Sequence, residues 1–157
     1  MKEAEPQADV DSKDSEGRTP LSCVAYYGHA EAVKLLVKEA GADIESKDKI
    51  WGRTPLSLAA KHGHLDVVKF LVHEAGADIE SKGKSGRTTL SWAALSGRSD
   101  VVKFLVKEAR ADVDSKDEYE WRPLSRAAYN GHLKAVKFWR TRPAPTLSRR
   151  LTQDGCR

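Results

Sequence analysis

The chain of 157 residues has few of the features that mark secreted or membrane proteins. It has only two cysteines, Cys23 and Cys156, and this count does not indicate a disulfide framework. No apolar run approaches the length that spans a bilayer, and the first residues, M-K-E-A-E-P-Q, lack the apolar core of a secretion signal. We therefore expect an intracellular protein, cytoplasmic or nuclear, without a membrane partner.

Net charge is also absent from most of the chain, although the formal total is +4. Residues 1–139 contain 22 Lys or Arg and 22 Asp or Glu, and the excess lies in the last eighteen residues. Nucleic-acid-binding domains usually have a basic stripe that contacts the phosphates, and these residues do not form one. We expect no nucleic-acid partner.

What the sequence does contain is one block of residues repeated four times. The blocks are centred on equivalent leucines that lie 35, 34 and 34 residues apart: Leu21, Leu56, Leu90 and Leu124. The second block reads G-R-T-P-L-S-L-A-A-K-H-G-H, an apolar stretch such as V-V-K-F-L-V follows each block, and an A-D-[IV]-[ED]-S-K segment follows in the first three. Such a period indicates stacked units, none of which buries its apolar face alone. A stack of this kind favours binding over catalysis.

Each repeat predicts two helices. Thr19-Pro20 and Thr54-Pro55 have the chemistry of a helix start, a capping hydroxyl followed by proline at the first helical position. Glycines then end the first helix, at Gly28, Gly63, Gly97 and Gly131. The second helix of repeat two is expected to bury one face, formed by Val67, Val68, Leu71, Val72 and Ala75, and to expose Lys69 and His73.

The sequence resembles the ankyrin-repeat family over roughly residues 8–139. The resemblance rests on T-P-L, A-A-x-x-G-H, V-V-K-F-L-V and G-A-D in register. It implies an all-α solenoid of stacked helix-turn-helix units with projecting β-hairpin-like loops. The family often has histidine after T-P-L, and this chain has serine there, at Ser22, Ser57, Ser91 and Ser125.

The register of the repeats predicts the organisation of the chain. Residues 8–14 match residues 42–48, so we expect residues 1–16 to be the loop of a preceding repeat and the array to belong to a longer protein. Pro143 must end the last helix near residue 142. The predicted units are repeats at 17–51, 52–85 and 86–119, a partial repeat at 120–142, and a basic, disordered tail at 143–157.

Repeat three departs most from the common pattern. It has Thr89 for proline, Arg98 for histidine, and Arg110 where glycine closes the second helix of the earlier repeats, and Gly83 replaces aspartate in the loop just before it. Because a left-handed residue is needed at that closing position, Arg110 is expected to be strained there.

The polar residues that could suggest chemistry follow the repeat period. His29, His64 and His132 lie on separate units, so a structural hydrogen bond near a helix start is favoured over metal binding. The recurring serines have no G-x-S-x-G context, and Asp43, by its place in the repeat, most simply bonds nearby amides. We predict no enzyme activity, cofactor, metal site or small-molecule substrate.

The residues that break the repeat are the candidates for partner binding. In ankyrin proteins partners dock on loop tips and on the exposed side of the first helix, which together form a concave groove. Carried over position by position, this resemblance selects Arg18, Tyr26, Tyr27, Ile50, Trp51, Arg53, Lys61, His62, Arg87, Leu95, Tyr119, Trp121, Tyr129 and Asn130. Tyrosine, tryptophan and arginine dominate binding hot spots, so the expected partner is another protein.

Two functions remain open from the sequence. The first is a non-catalytic protein–protein interaction module that presents this groove. The alternative is a regulatory or sensor segment of a larger multidomain protein, for example a nucleotide-binding signalling protein.

Overall fold

The computed structural model describes residues 8–142 of the chain. Regular structure in this range is entirely helical, which confirms the predicted all-α class. The helices are α1 (Pro20–Tyr27), α2 (Ala30–Lys38), α3 (Pro55–His62), α4 (Leu65–His73), α5 (Thr89–Leu95), α6 (Ser99–Lys107), α7 (Pro123–Tyr129) and α8 (Leu133–Arg140). The predicted tail at 143–157 lies outside the described residues, as do residues 1–7.

The helices form four pairs that stack in chain order. The first helices of the pairs (α1, α3, α5 and α7, here the inner helices) pack on one another, and each also packs on the second helix of its own repeat (α2, α4, α6 and α8, the outer helices). Leu21, Leu56 and Leu90 are almost completely buried between them, and Ala59 and Ala93 have no exposed surface. Small side chains at these positions permit the close approach, so the array is the predicted solenoid of helical pairs.

The outer helices bury the face that the sequence predicts, together with a phenylalanine that the sequence analysis left out. In α4, Val67, Val68 and Leu71 are fully buried and Lys69 is exposed. Phe70 is also only 4% exposed, because the Lys38 ammonium of the preceding repeat lies 5.3 Å from its ring centroid and helps to cover it. The aromatic ring is therefore packed between successive outer helices.

Threonine hydroxyls cap the first three inner helices. The Thr19 hydroxyl accepts a hydrogen bond from the Ser22 amide at 3.2 Å, and Thr54 and Thr88 make the same bond in their repeats. The serine that replaces the family's usual histidine is thus buried beside the capping hydroxyl. In repeat four Arg122 occupies the capping position and provides no side-chain cap.

The glycine after an inner helix is required by the next repeat as well as by its own backbone. Gly28 and Gly97 have φ of 76° and 68°, in the left-handed region that side chains avoid. A Cβ at either position would overlap the imidazole of the next repeat, His64 or His132. Each imidazole Nε2 lies 2.8 Å from a carbonyl oxygen of the preceding inner helix, which confirms the structural reading of these histidines.

The loops between repeats are joined by carboxylates. Asp43 bonds the nearby Glu45 amide, as predicted, and its own amide donates to Asp11 of the preceding loop at 2.9 Å. The Asp78 amide donates in the same way to the Glu45 carboxylate at 2.8 Å. The recurring A-D-[IV]-[ED] segment therefore links each loop to the next.

Arg110 adopts the strained conformation that its position predicts, with φ of 58°. We expect Arg110→Gly to raise the free energy of unfolding by about 1 kcal/mol, since glycine accepts this conformation without steric cost. Urea denaturation followed by circular dichroism measures the change. Lys103→Gly, an exposed substitution inside α6, should instead lower stability by a similar amount, about 1 kcal/mol. A lower midpoint for Arg110→Gly would contradict the prediction.

The contact between glycine and histidine can be tested with two matched substitutions. Gly97 and Gly131 have similar φ, 68° and 72°, but no atom lies within 4 Å of a Cβ built on Gly131. Gly131→Ala should cost only about 1 kcal/mol of conformational strain. Gly97→Ala should cost clearly more, because it also displaces the His132 ring. Equal losses in denaturant midpoint would show that this packing contributes nothing.

Candidate partner-binding surface

Trp92 is the centre of a cation–aromatic cluster on the inner-helix side of repeats two and three. Its side chain projects from α5 and is 3% exposed. The Arg87 guanidinium, the Lys61 ammonium and the Arg53 guanidinium lie 5.0, 5.4 and 5.9 Å from its ring centroid. Trp51 meets it edge-on, with centroids 6.3 Å apart. These five residues are called the Trp92 cluster below.

Arg53 is held in the Trp92 cluster by a buried ion pair. Its Nε lies 2.7 Å from Asp48 Oδ2, and the two side chains are 9% and 1% exposed. Burial acts to raise the pKa of Asp48, but hydrogen bonds from the Trp51 amide and the Arg53 guanidinium outweigh it and hold the pKa below its usual value. The sequence analysis placed Arg53 on an exposed binding face, whereas the structure buries it under that face.

The first period of 35 residues contains one extra residue, which falls at Ile50-Trp51. This insertion and the glycine at position 83 belong to one arrangement. The Lys84 amide donates to the Trp51 carbonyl oxygen at 2.9 Å. A Cβ on Gly83 would lie 2.5 Å from the same oxygen, too close for the aspartate that the other repeats have there. Glycine at this position therefore lets the longer loop pack against its neighbour, with Ile50 and Trp51 about half exposed.

Asp117 provides the carboxylate that Gly83 does not supply, and it connects two parts of the surface. Its carboxylate Oδ2 lies 3.7 Å from Arg87 Nε and 2.7 Å from Arg126 Nε. Burial acts to raise the pKa of Asp117, but hydrogen bonds from Arg126 and from the amides of Trp121 and Tyr119 keep the pKa below its usual value. One fully buried carboxylate thus orients two arginines from adjacent repeats.

A second cluster surrounds Arg126 in repeat four. The guanidinium lies 4.5 Å from the Trp121 ring centroid and 5.7 Å from that of Tyr119. Tyr129 packs edge-on against Trp121 at 5.0 Å. These four residues are called the Arg126 cluster, and Tyr119 and Tyr129 are 63% and 76% exposed.

At the other end of the surface, Tyr26 joins the first two repeats. Its ring lies 4.8 Å from Tyr27 and 4.1 Å from His62 of the next inner helix. Burial lowers the pKa of His62, and repulsion by Lys61 lowers it further, so this imidazole is held in its neutral form. The ring therefore acts mainly as an apolar contact for Tyr26.

The candidates from the sequence fall into three groups by exposure. The exposed side chains are Tyr27, Ile50, Trp51, Tyr119, Tyr129 and Asn130. The half-buried residues are Arg18, Tyr26, Lys61, His62, Arg87, Leu95 and Trp121. Arg53 is buried, and Arg18 is paired with Asp14 and Glu16 of its own loop at 3.2 Å each.

Two central residues, Trp92 and Arg126, were missed by the sequence analysis. They occupy the same position of the repeat as Cys23 and Leu58, two residues after the conserved leucine. That position changes from Cys to Leu to Trp to Arg along the array, so its variability was a usable signal. The binding positions implied by the family resemblance lie at loop tips and helix ends, so they did not include this position.

Among residues 8–142, no three His, Cys, Asp or Glu side chains are grouped so that they could hold a metal ion. In the same range, no helix has the length and apolar character needed to cross a bilayer.

The helices form pairs that stack through the inner helices, and the loops of successive pairs are linked. This arrangement defines a helical repeat protein whose surface extends along the stack. A family model described as ankyrin repeats (3 copies) matches residues 3–83 and 75–139. The chain belongs to the ankyrin-repeat family. Ankyrin repeats generally mediate protein–protein interaction, and the family is typically non-catalytic. A search of curated proteins finds no match to this chain.

The bridging role of Asp117 predicts a loss of stability when its charge is removed. We expect Asp117→Asn to lower the free energy of unfolding by about 3 kcal/mol at neutral pH, because Arg87 and Arg126 would lose their buried partner. Asp112→Asn, in an exposed carboxylate of the same loop, should change it far less.

The pH dependence of this difference follows from the lowered pKa of Asp117. The stabilisation by the carboxylate is complete above the ordinary aspartate pKa of 3.8 and is lost as pH falls through the lower value of the folded state. The denaturant midpoints of the wild type and Asp117→Asn should therefore converge when the pH is below the folded-state pKa of Asp117. A gap that stayed constant down to pH 2.5 would contradict the ion-pair explanation.

Proposed function

We propose that this chain is a non-catalytic protein–protein interaction module that binds its partner on the inner-helix side of the stack. The observation that supports the proposal most strongly is the convergence of repeat-breaking aromatic and basic residues there. The Trp92 cluster and the Arg126 cluster are linked through Asp117, so they form one continuous surface across repeats two to four.

The exposure pattern supports the same side. Ile50, Trp51, Tyr119 and Tyr129 are each 45% to 76% exposed, although large apolar side chains gain most from burial. The Trp51, Tyr119 and Tyr129 rings pack against other rings or against a cation, which reduces the conformational freedom that binding would cost. Preorganised aromatic side chains of this kind are typical hot-spot residues.

The outer helices of the central repeats offer a contrasting surface. In α4 and α6 the exposed side chains are all charged residues or histidine: Asp66, Lys69, His73, Asp100, Lys103 and Lys107. Long charged side chains cost conformational entropy when they are immobilised and contribute little as surface ion pairs. This surface suits solvation, which favours the inner-helix side for the partner.

The proposal predicts different effects for changes on the two sides. Replacing Tyr27 and Trp51 together by alanine should weaken partner capture at least tenfold, because hot-spot aromatics contribute about 2 kcal/mol or more each. Replacing Lys69 and Lys103 by alanine should leave capture within about twofold of the wild type. Affinity capture from an extract of the source cells, with quantitative mass spectrometry of the captured proteins, compares the variants.

Circular dichroism of both double variants provides the folding control for this comparison. All four side chains are exposed or lie at the surface, so both variants should keep the helical signal of the wild type. Loss of capture in the Lys69 and Lys103 variant, with capture intact in the Tyr27 and Trp51 variant, would place the partner on the outer helices and refute the proposal.

A further inference from the structure

We propose that the partner segment is acidic, and that one of its carboxylates binds at Lys61 in the Trp92 cluster with an apolar side chain beside Ile50 and Trp51. This proposal rests on the proposed function and names the chemistry of the partner.

Acidic residues are excluded from the inner helices. The sequences of α1, α3, α5 and α7 contain no aspartate or glutamate, whereas α2, α4 and α6 each contain one, at Glu31, Asp66 and Asp100. The charged residues of the inner helices are Lys61 and Arg126. The few charged side chains of the inner helices are therefore basic, whereas the outer helices mix eight Lys or Arg with three Asp or Glu.

Cations also outnumber carboxylates within the linked clusters. Asp48 pairs with Arg53, and Asp117 is shared by Arg87 and Arg126, so three arginines have two buried carboxylates. Lys61 is the fourth cation, and within residues 8–142 it has no ion-pair partner. A ligand carboxylate would supply the missing negative charge.

The surroundings of the Lys61 ammonium support the same conclusion. Burial lowers the pKa of Lys61, and repulsion by Arg53 and Arg87 lowers it further, while Asp48 opposes these effects only in part. An ammonium that is partly desolvated and close to other cations gains more from a carboxylate than one that is fully hydrated. Lys69 of the neighbouring outer helix is exposed and has no such environment.

A protein segment fits this surface better than a nucleic acid does. Glu118 and Glu120 are exposed on the next loop, where they would repel a continuous phosphate backbone. Ile50 and Trp51 are half exposed next to the cations and require an apolar neighbour. An acidic residue close to an apolar one in an extended peptide satisfies both conditions.

The test is a selection of random twelve-residue peptides, displayed on phage, against the full chain. The proposal expects the selected peptides to be enriched in aspartate or glutamate near an apolar residue. Fluorescence anisotropy of the best labelled peptide should then show about tenfold weaker binding to Lys61→Gln. The matched control is Lys69→Gln, which removes the same charge from the same repeat on the other side and should change binding less than about twofold.

A double-mutant cycle identifies the pairing itself. Replacing the peptide's acidic residue by its amide should weaken binding to the wild type by the same factor as Lys61→Gln does. It should have little further effect on Lys61→Gln, because the interaction is already absent. Independent, additive losses would overturn the assignment of the carboxylate to Lys61.

Other outcomes separate this proposal from the proposed function. One such outcome is the selection of neutral or basic peptides that no longer bind the variant in which Tyr27 and Trp51 are replaced by alanine. This result would support the proposed binding surface and overturn the proposal that the partner is acidic. Failure to select any peptide sensitive to that variant would overturn both. A twelve-nucleotide single-stranded DNA could bind as tightly as the best peptide, or more tightly, and lose this binding in Lys61→Gln. That result would overturn the proposal of a protein segment in favour of a nucleic acid.

Discussion

The close stacking of the inner helices is the constraint on which the rest of this structure depends. Leucine and alanine side chains without exposed surface fill the space between successive helices, and Gly28 and Gly97 admit the next repeat's imidazole at the ends of α1 and α5. Every repeat is thus completed by its neighbour rather than by its own residues. The stability of the array is therefore shared between repeats, as expected for a quasi-one-dimensional fold.

Departures from the repeat are tolerated where the stack itself supplies a substitute. Arg98 replaces histidine and donates its Nε hydrogen bond to the Lys61 carbonyl oxygen at 3.0 Å, much as the imidazoles do. Asp117 provides Arg87 with the carboxylate that Gly83 does not supply. The departures at positions 83 and 98 are therefore explained by contacts with a neighbouring repeat.

The same stacking separates the two sides of the molecule chemically. Side chains that vary between inner helices lie against those of the adjacent repeat, so Trp51, Trp92 and Lys61 meet although they are far apart in the chain. On the central outer helices the exposed positions are charged or histidine and largely repeat the same pattern. Varied, interlocked residues on the inner-helix side and solvated residues on the central outer helices are consistent with a single binding face. In the end repeats the outer helices also expose Leu35 and Leu133.

The sequence alone determined the elements that follow local rules. It predicted the period, the threonine and proline at helix starts, the left-handed glycines and the buried face of α4. These features could be predicted because each unit repeats the same local pattern, which depends on neighbours within one turn or loop. Only the tertiary structure decided the burial of Arg53, the central places of Trp92 and Arg126, and the coupling of Gly83 to the Trp51 loop. These depend on side chains that meet across repeats about 34 residues apart, a distance at which no local pattern specifies the partner.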